Sequence, residues 1–157
     1  MHLSGRFGEM TEAGFQQRAL CHGLDISKPV GAVEPHDFLA GILGRNWRIQ
    51  VKCTMHLLPN GMYQVNVGRS VRGPNGRRIS VPYSPDEVEF FAISLILENS
   101  WYIVPREMVD GRCSLYIHAR NHRTAGPLLP EAQPNYPSPL RKRSGRREAA
   151  AVIDYSI

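Results

Sequence analysis

A chain of 157 residues suits one hydrophobic core, because two cores of half that size would each be poorly shielded. Its apolar share of 42% and charged share of 21% are ordinary for a folded protein and exclude a chain disordered throughout. The net charge of +5 allows an acidic partner, but Arg141, Lys142, Arg143, Arg146 and Arg147 crowd into one short run of the kind found in solvated tails, so charge alone argues only weakly for nucleic acid.

The opening stretch, His2 to Gly14, mixes Arg6, Glu9 and Glu12 with glycines and lacks the unbroken apolar region that marks export. From Phe7 to about His22 a helix is expected, with Met10, Ala13 and Leu20 near helical spacing and Gly23 to close it. A short extended piece follows at Asp25 to Pro29, then a loop from Gly31 to Pro35. Asp37 stands directly after that loop. Phe38 to Leu43 and Trp47 to Thr54 read as two strands of a hairpin turning at Gly44-Arg45-Asn46.

A second hairpin is expected from Tyr63 to Arg69 and Arg77 to Val81, turning at Gly73-Pro74-Asn75-Gly76. Ser84-Pro85-Asp86-Glu87 has the form of a capping box and predicts a short helix. Glu89 to Leu97 and Trp101 to Val104 read as buried strands central in a sheet, and Cys113 to Ile117 as an edge strand. The longest apolar run, Phe90 to Leu97, is too short to cross a bilayer and contains Ser94, so no membrane partner is expected. Beyond His122 five prolines, from Pro127 to Pro139, predict an irregular linker and a disordered basic tail over residues 123–157, leaving residues 1–122 as the domain. Cys21, Cys53 and Cys113, odd in number and widely spaced, match neither a disulfide framework nor a paired-thiolate zinc site, and point to a reducing, cytoplasmic setting.

Alternation along Trp47 to Thr54 puts Arg48, Gln50 and Lys52 on one face and Trp47, Ile49, Val51 and Cys53 on the other. The polar face then lies beside Asp37 on the partner strand. Hydrolysis of a phosphodiester needs charge stabilisation at the phosphoryl oxygens, an activated water and a positive group nearby. Asp37, Gln50 and Lys52 can supply these around a hard cation, which takes oxygen ligands and keeps several waters. Glu9 is a candidate second carboxylate.

These residues resemble the PD-(D/E)XK nucleases, and most closely the branch associated with group I introns. The similarity spans roughly Gly5 to Val109: Gly5-Arg6-Phe7-Gly8-Glu9, Pro29-Val30-Gly31, Pro35-His36-Asp37 and Gln50-Val51-Lys52, then Tyr83 to Ala92 and Trp101 to Pro105. The resemblance implies an α/β fold with a restriction-endonuclease-like core, a mixed β-sheet, an N-terminal helix and a flanking short helix. It implies a DNA endonuclease using Mg2+, with Mn2+ able to substitute. Asp37 would bind the metal with the Val51 backbone carbonyl, Lys52 would position or activate water, and Glu9 would complete the site.

Gln50 departs from the acidic residue of the general motif, as is usual in the intron-associated branch, and removes one negative charge. His36 interrupts the literal proline-aspartate pair at Asp37. The literal pair Pro85-Asp86 opens the capping box and is no part of the motif, since no acidic-x-lysine strand follows it.

Blander readings compete at each position. Gln50 and Lys52 alone would be the solvated face of a strand, and Glu9 a carboxylate favouring the helix dipole. His118 and His122, four apart, lack a helix or matching ligands and read as loop histidines. Arg69, Arg72, Arg77 and Arg78 either keep an exposed turn soluble or grip phosphates, and the sequence leaves both open. A junction-resolving nuclease and a non-catalytic DNA-binding or assembly module on the same fold remain alternatives. Cutting both strands of a duplex needs two sites or two visits, so a homo-oligomer, dimer or tetramer, is expected.

Overall fold

The computed structural model describes residues 3–31, 34–109 and 111–118. The expected boundary at His122, and the linker and tail at 123–157, lie outside the described residues. Among the described residues no helix is long and apolar enough to cross a membrane.

Helix α1 spans Leu3–Cys21 and ends in a Schellman turn: Leu24 N donates to Ala19 O, Gly23 N donates to Leu20 O, and Gly23 takes the left-handed conformation at φ 71°. The stripe it buries is Thr11, Phe15 and Ala19, four residues apart. This corrects the phase read from the sequence, because Met10 (67% exposed) and Leu20 (56%) face outward. The polar character of Thr11 hides the true stripe; its hydroxyl is satisfied by the Phe7 carbonyl at 2.6 Å.

Strands β1 (Asp25–Ser27), β2 (Phe38–Ile42), β3 (Arg45–Thr54), β7 (Phe90–Leu95) and β8 (Ser100–Pro105) form one sheet in the order β1-β2-β3-β7-β8. The β3–β7 pair is parallel and the others antiparallel, so the sheet is mixed as expected. The β2–β3 turn is Leu43-Gly44, both at positive φ (53° and 75°), which suits a tight two-residue hairpin and starts β3 two residues earlier than expected.

Two ribbons complete the fold: β4 (Met62–Asn66) with β9 (Ser114–His118), and β5 (Arg69–Arg72) with β6 (Arg78–Val81). The second hairpin is therefore shorter than the sequence suggests. Tyr63 pairs with Ile117, not with the Arg77–Val81 segment, and β9 is no edge of the main sheet. The box at Ser84 closes a single turn, with Ser84 N donating to Glu87 Oε2 at 2.8 Å. A helix does not follow, because Val88 enters the core and Glu89 N donates to Arg48 O at 2.9 Å, committing the chain to β7. One-turn 3-10 helices sit instead at Ile96–Glu98 and Arg106–Met108. Strand β8 is an edge in the hydrogen-bonding sense, yet it is buried on both faces.

Side-chain alternation divides the core between those faces. Phe38, Ala40, Ile49, Val51, Ala92 and Trp101 meet Phe15 and Ala19 of α1, with Phe15 5.3 Å from Phe38 and 6.1 Å from Trp101 between ring centroids. On the opposite face Phe91, Ile93, Leu95, Tyr102 and Val104 pack under Tyr63, Val65, Leu115 and Ile117 of the β4–β9 ribbon. Trp101 and Tyr102 are core residues, as their apolar setting predicts.

Candidate active site

The site forms where β2 leaves β3. Asp37 N donates to Ile49 O at 2.9 Å, one step beyond the last β2–β3 pair. The chain before Asp37 then departs, and β3 runs on with a bare edge. Val51 N, the next donor on that edge, is taken by Asp37 Oδ2 at 2.8 Å, which leaves the Val51 carbonyl facing the same opening. Gln50, itself buried, donates its Nε2 to Asp37 Oδ2 at 2.5 Å and reaches the Val51 carbonyl at 3.4 Å.

Lys52 follows two residues on, with Nζ 3.3 Å from the Tyr83 hydroxyl and 5.3 Å from its ring centroid. Burial pushes Lys52 below the ordinary lysine range, and the Asp37 charge opposes that. Asp37 is held above the ordinary aspartate range, first by burial and further by the charge of Glu12, against the Val51 N–H, Lys52 and Gln50, which favour its ionised form.

These residues line a cavity of about 560 Å³ walled by α1 on one side and the β5–β6 hairpin on the other. From α1 the lining residues are Gly8, Thr11 and Glu12. Glu9 is exposed and outside the lining. Glu12 is the α1 carboxylate at the cavity, and Lys28 Nζ holds its Oε2 at 2.5 Å. The signal that finds Glu12 is its position next to the buried Thr11, Phe15 and Ala19 stripe. Cys53, which alternation places on the same face as Val51, is half-buried and also lines the cavity as a free thiol.

The hairpin contributes Ser70, Arg78, Ile79 and Ser80 to the opposite wall. Its four arginines divide by placement. Arg69 is tied to Glu87 at 3.2 Å. Arg72 and Arg78 are paired across the ribbon, like charges side by side, and Arg77 lies at its turn. None of the ion pairs among the described residues involves Arg72, Arg77 or Arg78. Asp86 lies in the turn after Ser84, where its carbonyl accepts a hydrogen bond from Arg48 Nη1, and outside the cavity lining.

A family model for PD-(D/E)XK endonucleases matches residues 2–126 of this chain. The chain belongs to that family. Among solved structures it is similar to a bacterial homing endonuclease, I-Ssp6803I, with a TM-score of 0.66 and 19% identity over 80% of this chain and 85% of that one. At that identity the likeness speaks for the fold. No curated protein matches.

Endonucleases of this family generally use divalent metals, and the donors here can be tested for fit. Among the described residues no three His, Cys, Asp or Glu side chains gather as a metal cluster, so a cation here would rely on mixed oxygen donors. Asp37 and the Val51 carbonyl converge, and the Gln50 amide nitrogen lies between the two oxygens. A half-turn of that amide would present Oε1 in the same place. Carboxylate, carbonyl and amide oxygens with room for water are the donor chemistry of a hard cation. The set fits.

Proposed function

We propose that this endonuclease cuts DNA by metal-dependent phosphodiester hydrolysis, with Mg2+ as the ion and Mn2+ able to replace it, in the manner of the intron-associated homing endonucleases. The observation that carries this is Asp37 Oδ2, shared by the Val51 N–H and the Gln50 amide on the bare edge of β3, two residues from Lys52. Asp37, the Val51 carbonyl and Gln50 would hold the cation, and Glu12 is better placed than Glu9 to hold its waters. When bound, the cation stabilises charge on the phosphoryl oxygens and lowers the pKa of water.

This chain's residues supply the rest. Lys52 Nζ orients the attacking water as the new P–O bond forms and the bond to the leaving sugar oxygen breaks; the water's proton is lost to solvent and the leaving oxygen takes one up from solvent. Gln50 stands where an acidic residue would add a second fixed charge, so the metal is held with one negative charge fewer. Arg72 and Arg78, like charges side by side, would be relieved by a DNA phosphate, whereas Arg69 is already engaged by Glu87. A duplex cut on both strands calls for paired copies, as a dimer or tetramer. Three free cysteines suit a reducing cytoplasm.

The test is cleavage of supercoiled plasmid with magnesium, with a chelator, and by Lys52→Ala, Glu12→Gln and Glu9→Gln beside the wild type. Metal-dependent nicking should vanish in Lys52→Ala, fall at least about tenfold in Glu12→Gln and persist in Glu9→Gln. Binding without cleavage under every condition would favour a DNA-binding module on the nuclease fold. Equal activity in Lys52→Ala would sink the site.

A further inference from the structure

Lys52 is a long, flexible side chain that must hold one nitrogen at one place, and ordering such a chain costs rotamer entropy unless its surroundings hold it. Its neighbours in β3 cannot do this, since Ile49 and Val51 face α1 and Gln50 is turned to Asp37. The holding group comes from the segment that joins the hairpin to β7.

Tyr83 is buried, at 9% exposure, and touches Lys52 in two ways: its hydroxyl oxygen accepts from Nζ at 3.3 Å, and its ring lies 5.3 Å from Nζ. The ring is seated in turn on Phe91, 5.7 Å between centroids at 66°, an edge-to-face contact. Phe91 is paired with Gln50 in the β3–β7 ladder, so the sheet that presents Gln50 and Lys52 also fixes the tyrosine behind them. Tyr83 is absent from the cavity lining. It therefore reaches Lys52 from behind and leaves the front of the amine open to the cavity.

We propose that Tyr83 is the positioning residue for Lys52, its hydroxyl and ring together fixing Nζ toward Asp37 and the Val51 carbonyl. This rests on the reading of Lys52 as the group that acts on water. An ammonium has only donors, and the hydroxyl supplies the acceptor it lacks on the buried side. The hydroxyl stays neutral across any working range, because burial and the Asp37 charge push its pKa up to about 12. It orders the lysine without adding a charge that would compete with Asp37 for it.

The experiment compares wild type, Lys52→Ala and Tyr83→Phe by single-turnover cleavage of supercoiled plasmid in saturating magnesium. DNA affinity in calcium and the melting temperature are measured on the same three proteins. Phenylalanine keeps the ring on Phe91 and removes only the acceptor. The expected result is a rate about tenfold or more below wild type for Tyr83→Phe, with DNA affinity and melting temperature little changed, because a misplaced reacting group costs rate and not binding. A Tyr83→Phe rate equal to wild type, while Lys52→Ala is inactive, overturns the proposal and leaves the reading of Lys52 standing. A lower rate matched by an equal loss of DNA affinity or of melting temperature overturns it too, since that is the mark of a structural residue. No cleavage by wild type, or full cleavage by Lys52→Ala, removes the reading on which the proposal stands.

Discussion

Asp37 sits in a place that disfavours the charge of its carboxylate. Burial pushes its proton affinity above that of a free aspartate, whose ordinary value is 3.8, and the nearby Glu12 adds to this. A carboxyl that binds its proton more tightly when folded contributes stability below its unfolded pKa and loses it as pH rises through the folded value. Asp37→Asn should therefore unfold no earlier than wild type at pH 7 in chelator, and on the order of a few degrees later, with the gap closing below about pH 4. Magnesium should raise the melting temperature of the wild type and not of the variant, whose cleavage should be lost. A variant that is less stable in chelator at pH 7 would contradict the account.

Part of this site is legible in the sequence because two-residue alternation puts Gln50 and Lys52 on one face whatever else the fold does. The helix offers no such certainty. Glu9 and Glu12 are one turn apart, and which of them meets the cavity depends on the helix phase, which a buried threonine in place of an aliphatic residue conceals.

At the scale of elements, local turns can be read and distant pairings cannot. Gly44 and Gly76 announce their hairpins as glycines that tolerate positive φ, and the structure has a turn at each, the first shifted one residue earlier than expected because Leu43 also takes a positive φ. Nothing local in Met62–Asn66 says that its partner is Ser114–His118, because both strands are short, apolar on alternate residues and compatible with several neighbours.

The hairpin that overhangs the cavity is anchored where these ribbons meet. Gly68 N is shared between Asn66 Oδ1 at 2.9 Å and the Cys113 carbonyl at 3.2 Å. A Cβ at Gly68 would stand 2.2 Å from Ser80 Oγ and 3.0 Å from Cys113 Cβ. The serine hydroxyl can rotate away. The cysteine Cβ is fixed to its backbone, so Gly68→Ala should push the β5–β6 ribbon off the cavity. Cleavage should fall about tenfold or more, with a stability cost of about 1–3 kcal/mol from overpacking. Adding Ser80→Ala should recover part of both, read by plasmid nicking and urea unfolding. Wild-type cleavage by Gly68→Ala would mean that the hairpin's seat is irrelevant to the site.

At the scale of the whole molecule, a basic run far along the chain is a candidate for DNA affinity apart from the cavity's chemistry. The cavity is made by residues between Gly8 and Ser80, and its charges nearly offset one another: Asp37 and Glu12 against Lys28, Lys52 and Arg78. The basic run from Arg141 to Arg147 is remote from all of these in sequence and holds five of the chain's 19 lysines and arginines. Each phosphate neutralised contributes about 0.9 to the slope of log affinity against log salt. If the run binds DNA, removing residues 141–157 should flatten that slope by up to about 4.5, with the largest loss of affinity at low salt. Single-turnover cleavage at saturating DNA should stay at the wild-type rate, because none of the groups that hold Asp37 or Lys52 is removed. An unchanged salt slope would show that the run makes no phosphate contacts. A lost turnover at saturation would mean instead that the tail helps to place the scissile phosphate over Asp37, and the division between affinity and chemistry would fail.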